Sequence, residues 1–252
     1  MSGGNRRVAL VAGGTGPIGR AVAARLAGSG LAVALHHREP RRATAQDIVS
    51  GLPGGQHLAV AAELTRPEAV DAAVSEVERR LGPVDVLVNA AHPRPGGNAP
   101  VADTSPEVLA AHLSAVGAHA ALCARVVPGM RAGNWGRVVY VSGALMARPA
   151  AGFGAYGAAK AAATALTRCL AWEEGRAGIT ANVVAPGRVV DPAEEQPLTP
   201  EQAELSRALA RRMALPDFPT PAQVADAVAM LLGADAITGQ TIWVTGGEPI
   251  TG

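Results

Sequence analysis

The chain has 252 residues, with 22 basic and 21 acidic side chains and a formal net charge of +1. That balance gives no electrostatic footprint for nucleic acid or an anionic membrane. An apolar share of 48% argues against disorder, and two distant cysteines, Cys123 and Cys169, make neither a disulfide framework nor a metal site. No run reaches the ~18 apolar residues of a membrane span, so the expectation is one soluble, cytoplasmic domain over residues 1–252.

Short β-rich apolar runs alternate with longer helical stretches. The first strand, Val8–Ala12, runs into Gly13-Gly14-Thr15-Gly16-Pro17-Ile18-Gly19, and a helix is expected over Pro17–Ala27. Such a turn lets a pyrophosphate approach the backbone at a helix N-terminus, where N–H groups and the helix dipole favour anions. A tight left-handed turn with no ligand is the alternative. The second strand, Ala32–His36, is followed by a helix over Arg42–Val49. The third, His57–Ala61, leads to Pro67–Leu81, where Thr65 and Glu68 read as start signals and Gly82-Pro83 as the stop.

The fourth strand, Val84–Asn89, ends in the loop His92-Pro93-Arg94-Pro95-Gly96-Gly97-Asn98. A long helix follows over Pro106–Arg131, opened by Thr104 or Ser105. Strands over Arg137–Val141, Thr180–Ala185 and Thr241–Val244 and helices over Ala155–Glu174 and Pro221–Leu232 complete the rhythm. Near-continuous apolar strands imply cover on both faces, and βαβ alternation implies a doubly wound, Rossmann-type parallel sheet flanked by helices. The Pro-rich segment 191–219, around a short polar helix over Glu201–Met213, interrupts that rhythm. Loops after strand C-termini surround the ligand in such sheets, so it is expected to meet the substrate.

One lysine, Lys160, stands among the 22 basic residues. Where arginine serves for every other positive charge, the survivor is expected to supply a compact, tunable ammonium. Tyr156 lies four residues earlier, on the same helix face. A nearby ammonium stabilises phenolate and makes tyrosine a competent general acid toward a carbonyl, or a base toward an alcohol.

With these pieces in order, the chain resembles the short-chain dehydrogenase/reductase family along nearly its full length. The matching parts are the turn at 13–19, Glu63-Leu64, Asn89-Ala90-Ala91, Tyr156 with Lys160, Asn182 with Pro186-Gly187, and Gly239-Gln240 through Gly246-Gly247. The resemblance implies a seven-stranded parallel sheet, a nicotinamide cofactor across the strand C-termini, and Tyr156 as acid/base. Lys160 would lower the tyrosine pKa and hold the nicotinamide ribose. Gly13, Thr15, Pro17, Ile18, Gly19, Glu63, Leu64, Asn89, Ala90, Pro186, Gly187 and Val189 are the implied cofactor contacts. His37 stands where NAD-dependent relatives carry Asp, and Arg38 follows it, so NADP(H) is the expected cofactor, with Glu39 as a competing charge. A homodimer or homotetramer through the two long helices is also implied.

The departures are as informative. Pro17 replaces the middle glycine of the turn. Gly143 stands where the family carries its catalytic serine, and Ser142 lies one residue earlier. Ser142 is the candidate hydroxyl only if a bulge turns it, because adjacent strand side chains face opposite ways. The family's helix asparagine falls near Ala115, beside Ser114. His112 and His119 on that helix are either proton relays or ordinary core and surface residues. His92 and Gly143 are candidate substrate contacts, and Asp191 replaces a threonine that contacts the carboxamide. The leading expectation is NADPH-dependent reduction of a ketone on an apolar small molecule, in a biosynthetic setting. A non-redox cyclase, dehydratase or isomerase on the same scaffold, or a non-catalytic cofactor-binding protein, remains open.

Overall fold

A computed structural model describes residues 6–93, 95, 99–193 and 199–250. Its strands are β1 (Val8–Ala12), β2 (Ala32–His37), β3 (Leu58–Ala61), β4 (Val84–Asn89), β5 (Gly136–Val141), β6 (Ile179–Pro186) and β7 (Thr241–Val244). Its helices are α1 (Pro17–Gly28), α2 (Arg42–Ser50), α3 (Pro67–Leu81), α4 (Pro106–Ala132), α5 (Gly154–Glu174), α6 (Pro200–Ala210) and α7 (Pro221–Leu232). The strands form one sheet in the order β3-β2-β1-β4-β5-β6-β7, parallel throughout. The expected doubly wound α/β fold forms, and residues 94, 96–98 and 194–198 of the two irregular segments lie outside the described residues.

Along β1 the side chains divide with period two, as a pleated strand requires. Val8, Leu10 and Ala12 join the layer made with α3 and α4, through Val74, Val77, Leu122 and Val126. Ala9 and Val11 join the opposite layer, made with α1 and α7 through Val22, Leu26, Val224 and Val228. Both faces are thus dry. Helix α4 has a mean hydropathy of 1.3 across its most apolar stretch, and by length and composition it passes for a membrane span. The expectation that no run is apolar enough to pass for a span is corrected by this helix. In this fold Leu122, Val126 and Met130 are buried against the sheet.

Two starts differ from expectation for side-chain reasons. Thr65 does not cap α3, because its hydroxyl donates to Glu63 Oε1 at 3.1 Å and Arg66 becomes the capping residue. Strand β3 begins at Leu58, because the ring of His57 leaves the ladder. Its Nδ1 accepts the Val33 N–H at 3.1 Å, and its Nε2 lies 3.0 Å from the Pro53 carbonyl. Other starts follow the pattern. Ser105 caps α4, and Thr220 forms a capping box with Gln223 on α7.

Two buried histidines tie the C-terminal ends of strands together. His36 of β2 accepts the Gly13 N–H through Nδ1 at 3.1 Å and donates from Nε2 to the Ala62 carbonyl at 3.0 Å. It links the ends of β1, β2 and β3. His119 of α4 accepts from Asn89 Nδ2 at 3.2 Å and donates to Thr167 Oγ1 at 3.0 Å, joining β4 to α5. Each ring is neutral, with its proton on Nε2, because its Nδ1 faces a donor. Burial pulls both pKa values down from 6.5 to about 4. Once unfolded, either ring takes a proton near pH 6.5, so between pH 6.5 and about 4 the unfolded chain binds more protons than the folded one. Stability is therefore expected to fall as pH drops through that window, by about 1.4 kcal/mol per pH unit for each histidine. Thermal unfolding followed from about pH 7.5 to 4.5 should show this slope, and His119→Gln should make it shallower.

Candidate active site

The turn after β1 is shaped by three places where no Cβ fits. At Gly13 (φ +75°) a Cβ would lie 2.7 Å from the Ala91 nitrogen, at Gly14 2.4 Å from Leu35 Cγ, and at Gly19 2.2 Å from the Gly13 carbonyl oxygen. The chain can pass between β2 and β4 here only as backbone. Gly16 caps α1 in extended conformation with no side-chain bond, and no acid occupies the first turn. Pro17 supplies the first helical residue and gives up one donor. The N–H groups of Ile18 and Gly19 have no intrahelical acceptor. The cradle suits a pyrophosphate, so the residues present fit a dinucleotide.

The neighbouring strand ends carry the other expected contacts. Ala90 donates to the Ala12 carbonyl at 2.9 Å, while Asn89 turns its side-chain oxygen to the Ala91 N–H at 3.0 Å. Leu64 belongs to the core, and Glu63 closes its local turn on Thr65. Gly187 donates to the Val244 carbonyl at 3.0 Å, and Val190 to the Pro219 carbonyl at 3.0 Å. Pro186, Gly187 and Val189 thus lead from β6 toward the segment before α7. Asn182 ties β6 to the approach of β7, donating to Ile237 and accepting from Gln240.

Beyond β2, His37 is buried and its Nδ1 lies 2.9 Å from the Arg38 carbonyl. A carbonyl only accepts, so Nδ1 carries the proton and Nε2 is the acceptor. Glu39 pairs with Arg42 at 2.6 Å, and Arg38 is exposed with no ion pair among the described residues. The competing charge is thereby taken up by a different arginine. A cavity of about 580 Å³ lies against His37, Arg42, Gln46, His57 and Arg80, beside the edge strand and away from Tyr156. Asp191 pairs with Arg20 of α1 at 2.9 Å, which pins the start of the Pro-rich segment beside the turn.

Tyr156 and Lys160 sit where β5 meets α5. Lys160 is 3% exposed and donates to the Val141 carbonyl at 2.8 Å. Burial pulls its pKa from 10.5 to about 7. Its Nζ lies 4.9 Å from the Tyr140 ring centre and 5.7 Å from that of Tyr156. The amine therefore lies close to two aromatic rings at the base of the site.

The hydroxyl of Ser142 is turned the other way. It is buried 3.0 Å from Thr164 Oγ1 and donates to Met146 Sδ at 3.1 Å. No bulge brings it round, and Ser142 N–H continues the ladder to the Val184 carbonyl at 2.8 Å. The expectation that Ser142 polarises a substrate carbonyl is corrected accordingly, because its oxygen faces α5. Gly143 is the residue that faces the tyrosine, since a Cβ there would lie 2.7 Å from Tyr156 Oη.

Two imidazoles complete this corner. His92, from the loop after β4, sets its ring edge-on to Tyr156 with centres 4.9 Å apart. His92 Nε2 lies 3.0 Å from His112 Nδ1 on α4. Each of these histidines is legible in the sequence, but their pairing is not. The ring of Tyr140 beside the amine is likewise a product of the fold. On the outer side, Glu248 is buried against Arg148 at 3.1 Å, with Arg212 at 3.9 Å. The C-terminal segment also accepts from Ala214 and Leu215 at the Gly246 carbonyl.

Comparison with known proteins agrees with this geometry. A family model described as enoyl-(acyl carrier protein) reductase matches residues 13–248. The chain is similar to (2S)-[(R)-hydroxy(phenyl)methyl]succinyl-CoA dehydrogenase subunit BbsC of Thauera aromatica, with 33% identity over 97% of this chain and 95% of the relative. It is 34% identical to the 3-oxoacyl-[acyl-carrier-protein] reductase MabA of Mycobacterium avium, covering 96% of this chain and 89% of that protein. Carbonyl reductase family member 4 of Danio rerio is 32% identical, with 96% and 97% covered. The glycine turn, the Tyr156–Lys160 pair and these full-length likenesses agree, and the chain belongs to the short-chain dehydrogenase/reductase family.

Proposed function

We propose that the protein is an NADPH-dependent ketone reductase acting on an apolar acyl or aryl substrate in biosynthesis. The observation that carries this reading is Tyr156 facing a buried Lys160 beside an anion-ready glycine turn. Gly13, Thr15, Ile18 and Gly19 would hold the pyrophosphate, and Arg38, exposed and with no acidic partner among the described residues, would meet the 2′-phosphate. Asn89, Ala90, Pro186, Gly187 and Val189 would flank the nicotinamide half, and Lys160 its ribose. Bound there, the cofactor supplies a hydride to the carbonyl carbon.

What the chain supplies is the proton. Tyr156 gives its hydroxyl proton to the carbonyl oxygen as charge develops there. The Lys160 ammonium favours the phenolate left behind, by charge in a site with little water. Gly143 leaves the space beside Tyr156 Oη without a side chain, so an acyl substituent can approach. Apolar groups on the Pro-rich segment, Met213, Leu215 and Phe218, support an apolar partner. The names of the relatives point the same way, since they specify 3-oxoacyl and succinyl-CoA chemistry. Exposed Leu113 on α4, with Leu166 and Trp172 on α5, supports assembly of a homodimer or homotetramer.

The test is consumption of NADPH with a panel of ketones that includes acetoacetyl-coenzyme A. Tyr156→Phe should fold and bind cofactor but lose about 10²-fold or more in turnover. Lys160→Arg should also be damaging, because a guanidinium cannot replace a compact buried ammonium. Arg38→Ala should weaken NADPH binding about tenfold or more and leave NADH within about twofold, as loss of a charge-assisted bond requires. Equal affinity of the native protein for the two cofactors would overturn the NADPH assignment. Product formed without net NADPH oxidation would favour non-redox chemistry at the same tyrosine.

A further inference from the structure

A short-chain reductase of this geometry has an unmet requirement at the reacting oxygen. Negative charge passes from the carbonyl oxygen to the tyrosine oxygen, and two polar groups beside it stabilise that charge better than one. Gly143 offers none, and the hydroxyl of Ser142 is held by Thr164 and Met146 on the far side of the strand end. The group that does stand beside Tyr156 is an imidazole from a different element.

Resting on the reductase reading above, we infer that His92 is that second donor and that His112 positions it. The His92 ring meets the Tyr156 ring at 78° with centres 4.9 Å apart, and His112 lies 6.1 Å from Tyr156 at 87°. The 3.0 Å contact between His92 Nε2 and His112 Nδ1 holds one shared proton. When His112 donates it, the His92 proton sits on Nδ1, and the lock fixes both ring plane and tautomer. His112 is half-buried, and burial lowers its pKa, which favours the neutral ring. A neutral N–H is the kind of donor that a serine hydroxyl would have been.

The bookkeeping of protons is simple. Hydride reaches the carbonyl carbon, the carbonyl oxygen takes the Tyr156 proton, and the phenolate is held by the His92 N–H and the Lys160 ammonium. Solvent then returns one proton to Tyr156. His92 keeps its own proton throughout, so the imidazole acts as a catalytic donor and not as an acid. His112 touches neither substrate nor phenolate in this scheme and is a positioning residue.

The experiment uses the full chain and reads two things. The chain has two tyrosines, and the Tyr140 hydroxyl is buried without a hydrogen-bond partner among the described residues. Tyr140→Phe therefore isolates Tyr156, whose phenolate absorbance can be titrated in the cofactor-free protein. Among the described residues, the titratable groups that face Tyr156 include His92 from its loop, His112 from α4, Lys160 from its own helix and Tyr140 from β5. In that background His92→Phe should raise the Tyr156 midpoint by about half a pH unit or more, because a bond to the charged form is lost. His112→Phe should raise it less, and His92→Asn, which restores a neutral donor, should bring it part of the way back.

The second reading is turnover with acetoacetyl-coenzyme A. His92→Phe should lower kcat about tenfold or more with KM for NADPH within about twofold, and His92→Asn should recover part of the loss. Either a Tyr156 midpoint unmoved by His92→Phe, or kcat kept within about twofold, overturns the inference. A native protein that oxidises no NADPH with any ketone overturns the reductase reading instead. In that event the titration still decides whether His92 bonds the tyrosine oxygen.

Discussion

A sheet whose strands all run the same way must send every connection back across one of its faces. Both faces are then buried, and most positions along β1, β4, β5 and β6 are apolar. Polar chemistry is left with the strand ends. In this chain they gather His36, Asn89, Ser142 and Gly187 within one edge, and the helix starts and loops beyond supply the rest. The location of the site is thus a consequence of parallel pairing, before any particular side chain is considered.

The same dryness sets the electrostatics. Lys160, Tyr140 and His119 are packed together below the site, with the ammonium over one tyrosine ring and the imidazole 4.7 Å from the same ring. In so little water the ammonium is strongly disfavoured, which is why its pKa is drawn down to about 7. Proximity of that charge also helps to keep His119 neutral. A phenolate on Tyr156 would give the lysine the opposite charge it otherwise lacks. Acid and ammonium therefore depend on one another, and each has the tunable character that the other needs.

Much of this was legible in the residues. Short β-rich apolar runs marked all seven strands, because a sheet covered on both faces favours that composition. The solitary lysine and its tyrosine four residues away marked the pair proposed to carry the chemistry, because helix periodicity is local. What could not be read is long-range. His92 and His112 are twenty positions apart, and only the docking of α4 against the loop after β4 joins them. The direction of Ser142 depended on whether a bulge forms, which the string Val141-Ser142-Gly143 does not encode. His57 left β3 for a similar reason, since a side chain took a hydrogen bond that pattern assigns to backbone.

The single lysine has a further experimental meaning. Every ε-amine of this chain is one atom, and that atom is 3% exposed and bonded to the Val141 carbonyl. A reagent directed at lysine amines would find no surface target among the side chains. Its rate of reaction would report the frequency with which the floor of the site opens, one chemical clock for local breathing at the junction of β5 and α5.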